Sequence, residues 1–306
     1  MRIVFTDLDG TLLDHETYRY SAALPALSAL CRRDVPLILV SSKTRAELEL
    51  LAQQLKLNHP LIPENGSAVF IPHDYFPAKL LGSEWLWRGR YRVLELGVPY
   101  DQVRAALHQV RAALKEVSIE GFGDWSVEQV AAATGLPLED AARAHKREYT
   151  EPFLCEAIQP DLLQGVVAAV SHSRLAAGLS RVPLNLQRGG RFWSLTGPAD
   201  KGQAVRILLS CYRRQYGPVT CLGLGDSPND LPLLQAVDRA VVIPGRRSAD
   251  VWSQRGNGWT LAPAAGPEGW NEAVLAWLEQ EHDLSEGLRG VADLEPGSIT
   301  GPAASG

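Results

Sequence analysis

The chain has 306 residues, more than one hydrophobic core usually serves, and its 45% hydrophobic and 21% charged residues are ordinary for a folded protein, so we expect two domains. The formal net charge of -5 argues against a broad basic surface and hence against nucleic acid as the main partner. No apolar run reaches the roughly 18–20 residues of a membrane span, and Asp7 and Asp9 follow Met1 too closely for a cleavable signal peptide, so we expect a cytoplasmic protein without a membrane partner.

The beginning of the chain alternates between apolar strands and amphipathic helices. A β-branched run at residues 2–6 and a continuously apolar run at 35–40 predict two strands. Residues 21–31 place leucines on one helical stripe between them, and Thr44 with Glu47 predicts a capping box for the next helix. This alternation is typical of a parallel sheet covered on both faces, in which ligands bind beyond the carboxyl ends of the strands.

The middle of the chain changes character, because strands and helices there follow no regular alternation. The predicted elements are strands near 93–97, 153–158, 182–187 and 191–196 and helices near 101–116, 126–134 and 137–147. This mixture indicates a smaller domain inserted into the first one.

The strand and helix alternation then resumes. Asp200 is the predicted N-cap of a helix that runs to about Tyr216, and the apolar run 218–225 predicts another buried strand. After a last helix near 267–280 the apolar periodicity disappears. The predicted fold class is α/β, with a doubly wound parallel-sheet core over 1–80 and 199–282, an inserted α/β cap over 81–198 and a flexible C-terminal tail over 283–306.

Two acidic loops directly follow predicted strands of the core. DLDGT occupies residues 7–11 and GDSPND occupies residues 225–230. Such loops at neighbouring strand ends can hold one hard cation through oxygen ligands, and Mg²⁺ combines one or two carboxylates with waters and phosphate oxygens. The predicted metal residues are Asp7, Asp226, Asp9 through its backbone carbonyl, and Asp230 behind these ligands.

The same loops carry the groups that phosphoryl transfer needs. Asp7 is the predicted nucleophile, which becomes an aspartyl phosphate, and Asp9 is the predicted acid that later acts as a base toward water. Lys201, in the first turn of its helix, can balance the charge of the transferred group. Ser41, at the end of the second strand, can donate a hydrogen bond to a phosphate oxygen. The residues therefore predict a phosphatase.

In their order and spacing these segments resemble the haloacid dehalogenase superfamily. The large insert lies where type IIB members of that superfamily carry an α/β cap. Within the group the chain is similar to the mannosyl-3-phosphoglycerate phosphatase family. The segments that carry this closer resemblance are VSSKTRAEL (40–48), PENGSAVFIP (63–72), REYTEPF (147–153), RGGRFWSL (188–195) and LGLGDSPNDLPLL (222–234).

The resemblance implies mannosyl-3-phosphoglycerate as the substrate, which is hydrolysed to mannosylglycerate, a compatible solute, and phosphate. The glycerate carboxylate calls for a guanidinium or for backbone donors, and Arg191 with Gly189 and Gly190 offers both. The other expected substrate-binding residues are Arg188 beside them, Lys43 and Asn65 for glycerate or sugar oxygens, and Thr150 and Glu151, with Glu148, for sugar hydroxyls.

Several alternatives stay open on sequence alone. Arg188 and Arg191 could be surface charges, and Glu148 or Glu151 could only pair with a neighbouring arginine. The substrate could be glucosyl-3-phosphoglycerate, sucrose phosphate or trehalose phosphate, and a phosphomutase would use the same aspartyl phosphate. A sugar-phosphate-binding regulator without catalysis is disfavoured, because binding alone needs no nucleophile beside an acid. The oligomeric state is not predicted.

Overall fold

The computed structural model describes residues 1–155, 158–177, 183–189 and 192–292. The strands of this part of the chain are β1 (Arg2–Thr6), β2 (Leu37–Val40), β3 (Leu61–Ile62), β4 (Ala68–Pro72), β5 (Leu86–Arg88), β6 (Tyr91–Glu95), β7 (Ile119–Gly121), β8 (Glu151–Cys155), β9 (Asn185–Gly189), β10 (Phe192–Thr196), β11 (Thr220–Gly225), β12 (Arg239–Val242) and β13 (Thr260–Leu261). The helices are α1 (Leu24–Arg32), α2 (Arg45–Gln54), α3 (Tyr100–Ala113), α4 (Val127–Thr134), α5 (Leu138–Ala144), α6 (Pro160–Ala176), α7 (Lys201–Tyr216), α8 (Leu231–Gln235), α9 (Ser248–Trp252) and α10 (Gly266–Ala292).

The larger sheet of the described chain runs in the order β13-β12-β11-β1-β2-β3-β4-β6-β5. Its strands from β13 to β3 pair in parallel, and β4, β6 and β5 continue the sheet antiparallel. β1 lies between β2 and β11, so the carboxyl ends of these three strands meet at one edge. The predicted α/β class with a parallel-sheet core is confirmed.

Alternate residues of the central strands face opposite sides of the large sheet. Val4 and Leu39 pack in one buried cluster with apolar residues of α1, α2 and α10. Phe5 and Val40 pack in the other cluster with residues of α7, α8 and α9. The sheet is thus covered on both faces, which explains why its strands read as continuously apolar runs.

The smaller sheet is antiparallel, in the order β7-β8-β10-β9. One buried cluster joins this sheet to α3 and α6 through residues such as Leu107, Phe153 and Val167. A second, smaller cluster holds α4 and α5 against Phe122. These elements all lie within the predicted cap range.

Some elements differ from the sequence prediction. Helix α6 was not predicted, and the cap strands lie a few residues from their predicted positions. β5 and β6 extend the large sheet although they fall inside the range 81–198 assigned to the cap, while the domain boundaries themselves stay a prediction. Helix α10 continues to Ala292, past the predicted helix end and into the predicted tail. Among the described helices, none combines the length and apolarity needed to cross a bilayer.

Candidate active site

Asp7 is held where β1 ends. Its backbone N–H donates to the Leu224 carbonyl of β11 at 3.0 Å, and its own carbonyl accepts the Thr6 hydroxyl at 2.7 Å. The Trp270 indole N–H in turn donates to Thr6 Oγ1 at 2.9 Å. The residue is only 5% exposed. The backbone of the predicted nucleophile is therefore fixed from two strands and, through Thr6, from α10.

Lys201 brings a buried positive charge to Asp7. The Asp200 side chain caps α7 by accepting the Gln203 N–H at 2.7 Å, as predicted, and this places Lys201 in the first turn. Its fully buried ammonium donates to Asp7 Oδ1 at 2.6 Å and to Asp230 Oδ1 at 2.5 Å. Burial disfavours the charged amine, but the two carboxylates outweigh that effect and raise the pKa of Lys201, so the ammonium stays charged.

Asp230 orders the second acidic loop rather than offering a free ligand. Its Oδ2 accepts the backbone N–H groups of Asp226 and Ser227 at 3.1 and 3.0 Å, while Oδ1 accepts Lys201. Asp226 follows β11 and accepts the Thr11 hydroxyl at a long 3.5 Å. One carboxylate oxygen each of Asp7, Asp226 and Asp230 lies within 4.8 Å of the others. The structure thus brings together the two predicted acidic loops.

This acidic cluster carries too little positive charge to balance its carboxylates, because the ammonium of Lys201 faces three of them. Burial, reinforced by Asp230, raises the pKa of Asp7 to about 7 despite Lys201, and burial with Asp7 raises the pKa of Asp226 to about 8. Gly10 leaves the space beside them open, since a Cβ there would lie 2.8 Å from Asp226 Oδ2. Hard oxygen donors with a charge deficit fit a divalent cation.

Asp9 lies at the rim of the cluster and pairs with Lys43. Lys43 Nζ is 3.0 Å from Asp9 Oδ2 and 3.8 Å from Glu47. Burial would lower the pKa of Lys43, but Asp9 and Glu47 raise it, so the amine stays charged. The other oxygen, Asp9 Oδ1, is buried and accepts no hydrogen bond from the described residues. The predicted role of Asp9 as an acid and base stays a prediction.

Ser41 lies beside these groups at the end of β2 and is almost fully buried. Its hydroxyl oxygen accepts the Lys43 N–H at 3.2 Å, which leaves the hydroxyl proton to donate. Its carbonyl accepts the Asn65 N–H at 2.9 Å, so the turn after β3 is tied to the loop after β2. The Ser41 hydroxyl can thus act as a donor, and its contact with a phosphate oxygen stays a prediction.

The cap residues predicted to bind sugar have other partners. The Thr150 hydroxyl donates to Glu64 Oε2 at 2.6 Å. Glu151 is fully buried and accepts Tyr100 Oη at 2.5 Å, Arg104 Nη1 at 2.8 Å and the Gly123 N–H at 2.9 Å. Glu151 therefore makes the arginine pair that was its alternative, with all three partners inside the cap.

The glycine and arginine segment of the cap is only partly described. Arg188 is exposed, with its guanidinium 5.0 Å from the centre of the Trp193 ring, and Gly189 pairs with Phe192 between β9 and β10. Gly190 and Arg191 lie outside the described residues. A carboxylate site at this segment stays a prediction.

Sequence reasoning missed two side chains that connect the cap to the core. Glu64 accepts three backbone N–H groups of residues 148–150, and Gln187 accepts a hydrogen bond from Asn65. The position of Glu64 could have been noticed, because it directly precedes the Asn-Gly pair in PENG, which marks a turn. No sequence pattern marked Gln187, because a single amide side chain in a strand is common.

Curated relatives match most of the chain. A glucosyl-3-phosphoglycerate/mannosyl-3-phosphoglycerate phosphatase of Methanococcoides burtonii is 40% identical over 92% of this chain and 99% of its own length. A mannosyl-3-phosphoglycerate phosphatase of Pyrococcus furiosus is 34% identical over 79% of this chain and 91% of its own. Residues 4–79 match the family described as haloacid dehalogenase-like hydrolase.

Solved structures share the fold at lower identity. A subclass IIB sugar phosphatase of the haloacid dehalogenase superfamily is 17% identical with a TM-score of 0.58, covering 90% of this chain and 99% of the other. The sucrose-phosphatase of Synechocystis sp. PCC6803, solved with sucrose and phosphate, is 16% identical with a TM-score of 0.56, covering 90% and 98%.

Proposed function

The chain belongs to the glucosyl-3-phosphoglycerate/mannosyl-3-phosphoglycerate phosphatase family of the haloacid dehalogenase-like hydrolases, and from this membership we propose that it hydrolyses a phosphorylated glycosyl glycerate. The resemblance predicted from the motifs is thereby confirmed. Mannosyl-3-phosphoglycerate is the predicted substrate and the glucosyl compound the first alternative. The observation that carries the proposal is the buried cluster of Asp7, Asp226 and Asp230 around Lys201.

The acidic cluster fits Mg²⁺ as the cofactor. Asp7, Asp226 and the Asp9 carbonyl would hold the ion, with Asp230 fixing the loop behind them. When bound, the ion would neutralise phosphate charge and polarise the phosphoryl group toward attack. Since Asp230 already uses both oxygens, we assign it no direct ligand role.

The chain's own groups then supply the steps of the reaction. Lys201 fixes Asp7 through Oδ1, which leaves Oδ2 to attack phosphorus. The bond from phosphorus to the glycerate oxygen breaks as Asp9 gives that oxygen a proton, and Asp7 becomes an aspartyl phosphate. Asp9 next takes a proton from water, whose oxygen attacks phosphorus and releases phosphate from Asp7. Ser41 and Lys201 would hold the phosphoryl oxygens throughout.

The cap would read the part of the substrate that is not phosphate. Lys43 and Asn65 are the core residues beside the cluster. We keep Lys43 as a binding residue for glycerate or sugar oxygens, and the proposal is weaker for Asn65, because its Nδ2 donates to Gln187 and its Oδ1 accepts Asn229 Nδ2. Gly189, Gly190 and Arg191 remain the proposed carboxylate site, with Arg188 beside it. Binding of sugar hydroxyls is a weaker proposal for Thr150 and the weakest for Glu151, because their polar atoms already make hydrogen bonds. A cytoplasmic location also stays a prediction.

A phosphate-release screen tests this function. Purified enzyme would be offered mannosyl- and glucosyl-3-phosphoglycerate, sucrose phosphate and trehalose phosphate, each with Mg²⁺ or with a chelator. We expect the highest kcat/KM for one of the two glycosyl phosphoglycerates and almost none in chelator. A preference for sucrose or trehalose phosphate would overturn the substrate assignment. Isotopic oxygen from solvent in the released phosphate would exclude a phosphomutase.

A further inference from the structure

The turn Glu64–Gly66 holds three consecutive residues in the left-handed region, with φ of +47°, +56° and +89°. For residues other than glycine this conformation is unfavourable and persists only where the surroundings enforce it. Here they do, because Glu64 N–H donates to the Lys43 carbonyl and Asn65 N–H to the Ser41 carbonyl, both at 2.9 Å. The turn therefore points two adjacent polar side chains in fixed directions.

The Glu64 side chain reaches into the cap. Its fully buried carboxylate accepts the backbone N–H groups of Glu148, Tyr149 and Thr150 at 2.9, 3.1 and 2.8 Å, together with the Thr150 hydroxyl. Hydrogen bonds to a charged acceptor are stronger than neutral ones, and four of them act here together. This contact is a strong, buried attachment of the cap to the core.

The Asn65 side chain makes a much weaker attachment to a different part of the cap. Its Nδ2 donates to Gln187 Oε1 of β9 at 2.9 Å, while its Oδ1 accepts Asn229 Nδ2 at 3.2 Å from the loop of the acidic cluster. The Gln187 contact is a single neutral hydrogen bond, and Gln187 is half-buried. Because Asn229 orients the core side of this contact, only the cap side is free to leave.

We propose that Gln187 is a positioning residue that latches the cap closed on Asn65, while Glu64 is the fixed pivot about which the cap opens. Opening at Asn65 then breaks the neutral hydrogen bond to Gln187 and leaves the four bonds to Glu64 intact. The other described cap residues that bond to the segment after β2 are Arg143, Arg147 and Glu148, which lie in or just before the segment held by Glu64 and stay with the pivot. The inference rests on the proposed function, in which the cap closes over a glycosyl phosphoglycerate.

Kinetics with two substrates test the latch. In Gln187→Ala we expect kcat/KM for the preferred glycosyl phosphoglycerate to fall about three- to tenfold, the range of one neutral hydrogen bond. Turnover of p-nitrophenyl phosphate, which has no sugar for the cap to enclose, should stay within about twofold, since it needs no latch. Gln187→Glu keeps the accepting oxygen and should restore activity toward the glycosyl substrate. Asn185→Ala, an exposed amide two residues away on the same strand, is the matched control and should match wild type.

Measurements on the free enzyme test the same latch without substrate. Small-angle X-ray scattering should give a larger radius of gyration for Gln187→Ala than for wild type and Asn185→Ala. Hydrogen exchange at the Tyr149 and Thr150 amides should stay as slow as in wild type, because Glu64 still holds them. The proposal would be overturned if Gln187→Ala had the radius of gyration of wild type, or if its Tyr149 and Thr150 amides exchanged faster than in wild type. It would also be overturned if kcat/KM fell equally for the glycosyl substrate and p-nitrophenyl phosphate. If wild type hydrolysed no glycosyl phosphoglycerate, the proposed function would fail, and scattering with exchange would still decide the latch.

Discussion

The acidic cluster is the part of the molecule where single residues decide both stability and chemistry. Lys201 is the one described cation that touches both Asp7 and Asp230. Removing one partner of a buried charged group leaves the others without compensation, which costs more than the pair contributes.

Lys201→Met should therefore lower the free energy of unfolding by about 3–5 kcal/mol in the absence of metal. The reason is that two buried carboxylates lose their counter-charge while the apolar stem is replaced. Urea denaturation monitored by fluorescence measures the change. Lys79→Met, at an exposed lysine, is the control and should stay within about 0.5 kcal/mol of wild type. A loss below about 1 kcal/mol for Lys201→Met would contradict the charge balance described above.

The raised carboxyl pKa values predict a pH dependence of stability in metal-free protein. Folding raises the pKa of Asp7 from 3.8 to about 7 and that of Asp226 from 3.8 to about 8, so the folded state holds protons that the unfolded chain has released. The free energy of unfolding should therefore fall as the pH rises from about 4 to about 8. Carboxyls with lowered pKa values, such as Asp124, also contribute to the free energy of unfolding, but that contribution is lost only when the pH falls below this range.

Urea denaturation at pH 5 and pH 8 in chelator would measure this fall. Mg²⁺ at pH 8 should reverse it, because an ion that binds only the folded state stabilises it. Asp226→Asn should show a shallower fall and a smaller effect of Mg²⁺. Stability that rises from pH 5 to pH 8 in chelator would contradict the raised pKa values.

Much of this site could be predicted from the sequence, because its chemistry lies in short loops. Asp7 and Asp226 each follow an apolar strand directly, so the residue type and the position in the fold are read from the same segment. The partners of Glu64 and Gln187 are 84 to 86 and 122 residues away in the chain. No local pattern marks such pairings, since only the folded chain brings them together.

At the scale of elements, the turn before β4 controls where α7 begins. A Cβ at Gly66 would lie 2.2 Å from the Asp200 carbonyl oxygen and 2.8 Å from the Lys201 backbone nitrogen. The left-handed conformation of Gly66 adds to this crowding, since it disfavours any other residue. The glycine thus permits the close approach that puts Lys201 beside Asp7.

Gly66→Ala should cost more than about 2 kcal/mol of stability and should reduce activity by displacing the start of α7. Gly165→Ala is the matched control, because its new Cβ meets nothing within 4 Å on an exposed position of α6. This control should gain up to about 1 kcal/mol from helix propensity. Thermal unfolding and phosphate release measure both variants. A neutral Gly66→Ala would show that the turn does not position α7.

The elements differ in how readily they could be predicted, for physical reasons. Thr44 and Glu47 form the predicted capping box, because capping is decided within four residues. Helix α6 escaped prediction because Gly165 and the run Ser171 to Ser173 have low helix propensity, and burial of Leu163 and Val167 against the cap sheet overrides it. β5 escaped because its three residues are all exposed and show no alternation.

At the scale of the whole molecule, the site exists because the sheet order brings distant loops to one edge. β1 pairs with β11 in register from Arg2–Thr220 to Thr6–Leu224, so Asp7 and Asp226 leave the sheet side by side. Sequence alone does not say which strands are neighbours. The folded structure supplies this order, in which β1 lies between β2 and β11.

The cap meets the core around this edge. Arg147 Nη1 donates to the Ser42 carbonyl at 2.9 Å, and Arg45 Nε donates to Glu148 Oε1 at 2.7 Å. Together with the Glu64 attachment, these contacts place residues 147–150 of the cap against the segment that follows β2. A substrate with its phosphate at Asp7 would therefore extend its glycerate and sugar between the two parts.

Covalent transfer of the phosphoryl group to Asp7 is the central step of the proposed reaction. Enzyme mixed with its preferred glycosyl phosphoglycerate and Mg²⁺ would be quenched in acid within one turnover, digested and analysed by mass spectrometry. Asp9→Asn, which should slow both formation and hydrolysis of the intermediate, would be run in parallel over longer times, and Asp7→Asn would serve as the variant that cannot form it. We predict that the peptide containing Asp7 gains the mass of one phosphoryl group in wild type or Asp9→Asn and that Asp7→Asn shows neither the adduct nor phosphate release. Rapid phosphate release by Asp7→Asn would contradict the account.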